Sequence, residues 1–306
     1  MSDVVIGQAN AGRTPLPAIS VVIPTRHRLD SLARCLERLA PGVQTLAADR
    51  YEVIVTDDGA DPTAEAMVRE RFPQARWTAG PRRGPAANRN NGASKASGNW
   101  LIFIDDDCLP SQQLLSEYAA FFAKGGRAAE GAIHAAGGDP SSDLAECPVN
   151  VSGGCFWSAN IGLDRATYDA TGGFDETYKY AAHEDVALRE RVLQLTPIAF
   201  LSKAIVDHLV RQPTLIDKLR RLPQEWDAWA HHVSADGGSG TIKRRSPLGF
   251  FRVEMTRYAR GVPHHLMNRR PRSAVVAAAY LLAGVPYVTW CMWRSQGATT
   301  FSYRHA

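Results

Sequence analysis

Cysteine is scarce in this 306-residue chain, and its spacing suggests no pairing. Cys35, Cys108, Cys147, Cys155 and Cys291 form an odd set of five with no CxxC spacing. Neither a disulfide framework nor a zinc ribbon is expected, and a reducing compartment follows. Excess charge of one sign is also lacking. The 35 Lys and Arg against 31 Asp and Glu leave a net charge of +4, too little to argue for a nucleic-acid partner. Residues 1–17 carry Gly, Asn and Pro but no apolar core of signal length. They are expected to be a loose leader on a cytoplasmic chain rather than a secretory signal. Glycine is missing from Pro24-Thr25-Arg26-His27-Arg28, so the first apolar run does not lead into a Gly-rich phosphate loop. The remaining composition, 45% hydrophobic and 22% charged, is that of one large globular domain or two unequal ones.

The most informative stretch that is present is Asn99–Pro110 (NWLIFIDDDCLP). Its short apolar run, rich in β-branched and aromatic residues, predicts a strand buried on both faces. Three adjacent carboxylates follow, Asp105, Asp106 and Asp107. They repel one another and stay ionised together only where water or a cation compensates them. Hard oxygen ligands at the C-terminal end of a strand suit Mg²⁺ or Mn²⁺, metals that commonly also hold substrate phosphates. A solvated acidic turn before Pro110 accounts for the triplet equally well by itself, so context has to decide.

That context comes from the rest of the first half. Ala18–Pro24 (AISVVIP) predicts a buried strand stopped by Pro24. Leu29, Leu32, Leu36 and Leu39 recur at spacings of three and four, the apolar face of a helix. Asp30 or Ser31 is the expected cap, and Pro41-Gly42 the stop. Tyr51–Thr56 (YEVIVT) is a second strand ending in Asp57-Asp58-Gly59. Asp61-Pro62 predicts the start of a helix running to about Phe72, and Ala75–Thr78 a short third strand. In Gly80–Gly98, Ala86, Ala87, Ala93 and Ala96 give a helix a small-residue face for close packing on a sheet. Arg82, Arg83, Arg89 and Asn90 gather near its start, where N–H groups and guanidinium groups can hold an anion. A solvated face is the simpler account of Arg82 and Arg83. Strands alternating with helices predict an α/β fold with a mixed, mostly parallel sheet flanked by helices. Carboxylates after the second and fourth strands would then meet at one sheet edge, where open α/β sheets bind ligands.

The second half is less regular. Ser111–Lys124 is a helix built on Leu114, Leu115, Tyr118, Phe121 and Phe122, and Ala129–Gly138 holds a strand. Asp139–Glu146 is a polar loop, and Val149–Asn160 is expected to be a strand pair lining a pocket, with Trp157 more often core than sugar platform. Ala166–Asp169 is helical, and Gly172–Glu176 a turn. In His183–Leu193 the spacing of Val186, Leu188 and Val192 predicts a helix with Glu184 and Asp185 in its first turn. Those two acids are either dipole compensation or a general base aimed at the crevice. Ile198–Leu201 and Ala204–His208 are expected as short strands, the second ending in His208, a residue type that is a common metal ligand.

Read in order, VVIPT (21–25), TDDG (56–59), GPAANRNNG (84–92), FIDDD (103–107), GGFDE (172–176) and HEDVALRERV (183–192) resemble the inverting family 2 glycosyltransferases with a GT-A fold. The resemblance covers residues 19–211. It implies that Thr25, Asp57 and Asp58 hold the nucleotide, and that Arg89 and Asn90 lie near the nucleotide or sugar. Asp105, Asp106 and Asp107 match the DxD-type motif, with Asp106 on the nucleotide-sugar and Asp107 on Mn²⁺ or Mg²⁺. Asp185 matches the catalytic base with Glu184 beside it, and His208 a histidine that completes the metal shell. Asn88 departs from the pattern, where many members carry a small residue. The implied partners are a nucleotide-sugar donor and a glycan or lipid-linked acceptor. Two other readings compete: a sugar-phosphate nucleotidyltransferase, disfavoured by the glycine-free Pro24–Arg28, and a non-catalytic sugar-binding module, disfavoured by the intact Asp107 and Asp185.

The domain division expected is a leader at 1–17, a catalytic unit at 18–211 and a basic helical region at 212–306. His231-His232 is a weak metal pair, because neighbours on a helix point apart, and Gly237–Gly240 is a break. Residues 274–293 (AVVAAAYLLAGVPYVTWCMW) hold no charge. As a helix they span about 30 Å, enough for a bilayer. Tyr287, Trp290 and Trp293 sit at one end as an interfacial belt would, and a basic flank from Lys243 through Arg272 suits an anionic leaflet. Association with the cytoplasmic face of a membrane through 243–293 is expected, against the alternative of a buried or dimerisation helix.

Overall fold

The apolar runs are the centre of one eight-stranded sheet. The structure, a computed structural model, describes residues 18–234 and 246–301. The predicted leader and the Gly237–Gly240 break lie outside them. The strands are β1 (Ile19–Thr25), β2 (Tyr51–Asp57), β3 (Ala75–Ala79), β4 (Trp100–Ile104), β5 (Cys108–Pro110), β6 (Ala128–Ala136), β7 (Asn160–Asp164) and β8 (Ala199–Leu209). Their order is β3-β2-β1-β4-β7-β6-β8-β5. The pairings β1–β2, β1–β4, β2–β3 and β6–β8 are parallel, and β4–β7, β6–β7 and β5–β8 antiparallel. The sheet is therefore mixed and mostly parallel, as expected. Val21, Val22, Ile23 and Leu101–Ile104 are fully buried, which fits strands covered on both faces.

Helices α1 (Leu29–Arg38), α2 (Glu65–Arg71), α3 (Pro85–Lys95), α4 (Leu114–Ala123), α5 (Arg165–Ala170) and α6 (Glu184–Leu193) flank it. Leu32 and Leu36 of α1 join one core cluster with Val21, Ile23, Leu115 and Tyr118. Ala86 and Ala93 of α3 join a second on the opposite face with Val22, Leu101, Phe103 and Leu188. The small-residue face of α3 does bring its backbone close, since a Cβ on Gly92 would lie 2.4 Å from Val22.

Several local expectations are corrected. Neither Asp30 nor Ser31 caps α1, whose N-cap is Arg28 with no side-chain capping bond. Asp61-Pro62 lies outside α2, which starts at Glu65. The cause is Asp57, whose carboxylate accepts the N–H groups of Gly59 (2.7 Å) and Ala64 (2.7 Å) and holds the intervening chain as a loop. Residues 149–159 are not a strand pair; only an Ile133–Asn150 bridge joins them to the sheet. The two short strands expected over 198–208 are one, β8. A bulge opposite Gly131–Ala132 lets exposed Ser202 and Lys203 loop out without ending it. The three-residue β5 directly after the aspartates has no counterpart in the sequence pattern.

The C-terminal region is helical, as expected: α7 (Leu215–Ser234), α8 (Pro247–Met267), α9 (Pro271–Ala279), a π turn at 280–284, and α10 (Val285–Phe301). The apolar run is interrupted by that π turn: the Val285 N–H bonds Tyr280 O, five residues back, beside Pro286, which has no N–H to give. Gly284 there lets Trp226 approach, for a Cβ would meet Trp226 Nε1 at 2.6 Å. Val285, Val288 and Met292 bury against Ala230, Phe250, Trp226 and Trp229. Helix α7 also fastens this layer to the sheet unit. Lys218 reaches Glu146 (2.9 Å), His232 stacks on His183 with 5.0 Å between ring centroids, and His231 meets Thr177 Oγ1 at 2.7 Å.

Candidate active site

Parallel strands that end together put their following residues together. Thr25 pairs with Asp57 across β1 and β2, and β4 lies on the other side of β1. The aspartates after β4 therefore share one edge with Thr25, Asp57 and Asp58. Strand β5 turns antiparallel to β8 with Cys108 opposite His208, which brings the imidazole to the same edge.

The three adjacent aspartates have three different environments. Asp106 is buried; its Oδ2 accepts from Thr25 Oγ1 (2.7 Å) and its Oδ1 from Arg28 (2.9 Å). Burial pushes its carboxyl up to about 6 despite Arg28. Asp107 divides its two oxygens. Oδ2 faces Arg28 at 3.1 Å and Arg211 at 3.5 Å. Oδ1 is buried without a hydrogen bond, 3.1 Å from His208 Nε2. Burial disfavours the Asp107 anion, but His208, Arg211 and Arg28 outweigh it and hold the carboxyl at about 2. Burial likewise opposes charge on His208, but Asp107 raises it. Asp105 turns the other way, to Arg89.

Arg89 links the two sides of the site. It is 5% exposed; Nη2 donates to Asp105 (2.8 Å) and Nη1 to Glu184 (2.9 Å), and the guanidinium lies over the Phe174 ring at 5.4 Å. This corrects the expectation of a guanidinium open to an anion: Arg89 spans two protein carboxylates, and only its Nε lacks a partner. One cation serving two carboxylates compensates each only partly. Burial accordingly raises Glu184 to about 7. Asp185, next along, is raised by burial against the pull of Arg89. Its Oδ1 accepts from the Val186 N–H (2.8 Å) and its Oδ2 from the Ser158 N–H (3.4 Å). The turn into α6 is made by His183, at a left-handed φ of 68°, an uncommon conformation for a residue with a side chain. Burial and the neighbouring His232 lower His183 to about 4, so its ring is neutral at pH 7.

Other expected site residues hold the frame. Asp57 is used up on Gly59, Ala64 and Trp77. Asp58 accepts the N–H groups of Arg82 (2.8 Å) and Gly84 (3.2 Å), tying the start of α3 to the end of β2. Asn90 does not face the aspartates with free donors. Its Oδ1 accepts from Tyr168 (2.6 Å) and the Phe174 N–H (2.9 Å), and its Nδ2 donates to Phe174 O and Glu176, which fixes the Gly172–Glu176 turn. The unexpected Asn88 is also explained: it bonds Thr56 through both ends of its amide (2.7 and 2.9 Å), locking α3 onto β2. Sequence reading overlooks Arg28 and Arg211. The signal for them is position: each lies three residues beyond an expected site residue at this edge, Thr25 and His208.

The donor set fits a divalent cation. Asp107 Oδ1 has no well-aligned hydrogen bond and faces His208 Nε2 across 3.1 Å, and His208 Nδ1 lies 3.1 Å from Leu209 O, an orientation that leaves Nε2 toward Asp107. Cys108 also lies near, but its thiol points to Ala159 O (3.6 Å) and burial raises it well above the usual range. It stays protonated, and a hard cation prefers the oxygen and imidazole.

Comparison with known proteins agrees with this architecture. The family model described as "Glycosyl transferase family 2" matches residues 20–146. Glycosyltransferase AglE of Haloferax volcanii is 33% identical over 105 residues, 33% of this chain and 34% of that protein. Validoxylamine A glucosyltransferase of Streptomyces hygroscopicus subsp. jinggangensis is 28% identical over 221 residues, 58% of this chain and 51% of that protein. The chain thus spans about a third to a half of these relatives. The mannosyltransferase PcManGT from Pyrobaculum calidifontis, solved with GDP-Man and Mn²⁺, superposes with a TM-score of 0.53 at 16% identity, covering 94% of this chain and 76% of that one. The fold is GT-A.

Proposed function

We propose that this chain, a member of glycosyl transferase family 2, moves a sugar from a nucleoside-diphosphate donor to an acceptor hydroxyl with inversion. Asp185 is the base. The observation that carries this reading is Arg89, which bonds Asp105 of the aspartate triplet on one side and Glu184, neighbour of Asp185, on the other. A donor held at the triplet is thereby next to a half-buried carboxylate to which, among the described residues, no cation bonds.

Thr25, Asp58 and Asp106 form the nucleotide side, and Asp107 with His208 would hold Mn²⁺ or Mg²⁺. When bound, that cation supplies positive charge to the diphosphate. Arg28 and Arg211 add guanidinium donors at the same end, where negative charge grows as the diphosphate departs. Asp185 takes the acceptor proton as the acceptor oxygen bonds the anomeric carbon. The bond from that carbon to the diphosphate oxygen breaks on the opposite face. The products are the glycosylated acceptor with inverted configuration, the nucleoside diphosphate, and a proton on Asp185. One-step displacement needs no carboxylate nucleophile.

The acceptor in this reading is a glycan or lipid-linked sugar reached at a membrane surface. Helix 271–295 is long and apolar enough to cross a bilayer, yet a third of its apolar window is buried in the protein. Its inner face meets charged helices: Tyr280 donates to Glu225 over 2.7 Å. A crossing would drag that carboxylate into lipid, which is costly. In this reading the helix lies on the membrane surface rather than spanning it.

The test is hydrolysis of a panel of nucleotide sugars with Mn²⁺. Asp107→Ala is expected to lose metal-dependent donor binding, and Asp185→Asn to bind donor but not turn it over. Normal turnover by both variants would sink the assignment.

A further inference from the structure

Outside the residues assigned so far, the most heavily bonded buried carboxylate is Glu130. It lies in β6, 3% exposed, and among the described residues no lysine or arginine pairs with it. It is instead enclosed by N–H groups. Gly154 N, Cys155 N (3.1 Å), Phe156 N (2.6 Å) and Asn150 Nδ2 (2.8 Å) all donate to its two oxygens. Gly153 and Gly154 before Cys155, and Phe156 after it, have φ of 81°, 94° and 53°, positive values that help turn the N–H groups of 154–156 inward as an anion nest. The anion in that nest is Glu130 itself. Asn150 secures the other end of the loop: it exchanges backbone hydrogen bonds with Ile133 (2.8 and 2.9 Å), and its Oδ1 accepts from the Gly153 N–H (2.9 Å). Phe156 is fully buried in the core beside Leu188 of α6. Two residues on, the Ser158 N–H faces Asp185.

We propose that Glu130 is a positioning residue for proton transfer: by gathering the amides of 154–156 it sets the Ser158 N–H against the Asp185 carboxylate. This rests on the reading of Asp185 as base. The ionisable groups around Asp185 are Arg89, Asp105, Glu184 and the Cys155 thiol, with Arg189 one turn along α6 and near that thiol. Glu130 hydrogen-bonds the backbone amide of Cys155 and none of these side chains, and its charge acts on the Cys155 thiol through space. A glutamine at this position keeps the size but turns an NH₂ toward groups that are themselves donors, so the loop must shift. Asp185 then loses an N–H that favours its anion.

The experiment is the pH dependence of donor hydrolysis by the full chain. It uses whichever of UDP-glucose, UDP-GlcNAc and GDP-mannose wild type hydrolyses fastest, with Mn²⁺. For Glu130→Gln, kcat is expected to fall roughly 10- to 100-fold, with donor KM within about twofold and the acid limb of the profile moved to higher pH. Asn150→Ala, which removes one donor and the Gly153 anchor, is expected to move both in the same direction by less. It serves where Glu130→Gln does not fold. An unmoved acid limb in the folded variants, or a donor KM that rises in step with the loss of kcat, overturns the role of Glu130. Asp185→Asn run alongside separates the two claims. If it still hydrolyses donor, the base assignment falls and takes this proposal with it. If it is inactive while the variants keep the wild-type limb, only the role of Glu130 falls.

Discussion

Arg89 donates to Glu184 across 2.9 Å from inside the protein, with the Phe174 ring under its guanidinium. This bond joins α3 to the start of α6, 95 residues further along the chain. Because the same guanidinium holds Asp105, its loss leaves two carboxylates uncompensated in a buried site. Arg89→Ala is expected to cost about 3–5 kcal/mol of stability, the usual penalty for stripping one partner from a buried pair. Arg89→Lys is expected to recover little, since one ammonium cannot reproduce a fork aimed at two carboxylates. Urea denaturation checks both, and a lysine variant as stable as wild type contradicts the bridging role.

Glu184 gives that bridge a pH dependence. Burial sets its carboxyl at about 7 in the fold, against 4.5 for the free side chain. The folded state thus binds this proton more tightly than the unfolded chain. Its contribution to stability is complete below pH 4.5 and is lost as pH rises through 7. Glu184→Gln has no proton to lose. The melting temperature of wild type is expected to fall relative to this variant between pH 5 and pH 8. Parallel curves across that range would mean that Glu184 is ionised throughout.

The frame of this site is legible in the sequence, and the reason is local. Val21–Ile23 and Leu101–Ile104 are buried on both faces, so each strand announces itself as an apolar run, and the carboxylates that follow are contiguous in sequence. What is hidden depends on partners far away. Asp61-Pro62 looks like a helix start until Asp57 is known to hold the Ala64 N–H. Val149–Asn160 looks like paired strands because its backbone amides are destined for Glu130, a side chain, rather than for a neighbouring strand. Arg89 reads as an open cation at a helix start because its two acidic partners lie 16 and 95 residues away. Arg28 and Arg211 carry no pattern of their own and gain meaning only when β1 and β8 bring them to Asp107.

Arg28 provides a test with two opposite outcomes. Its side chain is 42% exposed and occupies Asp106 Oδ1 and Asp107 Oδ2. It therefore competes with a cation for Asp107 and offers a donor to the diphosphate. Arg28→Ala is expected to bind Mn²⁺ more tightly than wild type by calorimetry, yet to need roughly tenfold more donor, the worth of one charge-assisted hydrogen bond. His208→Ala is expected to lose Mn²⁺ binding. In wild type, Mn²⁺ affinity is expected to rise with pH, because the metal must displace the proton that Asp107 favours on His208. Equal Mn²⁺ affinity in wild type and both variants would put the cation elsewhere.

The outward face of α9–α10 carries the last prediction. Val275, Leu282, Pro286, Trp290 and Trp293 recur at helical spacing along it, and all are exposed, Leu282 by 78% and Trp293 by 73%. A helix packed on a soluble protein ordinarily turns polar residues outward; this one turns tryptophan and leucine. Exposed Arg269 and Arg272 precede the stripe, and Arg294 follows it. That is the arrangement of an interfacial helix on an anionic leaflet, apolar residues sunk among the acyl chains and guanidinium groups at the headgroups. Cutting the chain near Arg272 would be a poor test, because it also strips Val285, Val288 and Met292 from their cluster with Trp226 and Trp229. Leu282→Asp with Trp293→Asp leaves that inner face intact. Losing two such anchors, at about 1.5–3 kcal/mol each, is expected to cut co-sedimentation with phosphatidylserine vesicles more than tenfold while donor hydrolysis in solution is unchanged. Wild type is expected to bind phosphatidylcholine vesicles more weakly and to lose affinity for the anionic ones in high salt. Equal recovery of wild type and variant with anionic vesicles would remove this face as a membrane contact and leave the catalytic assignment untouched.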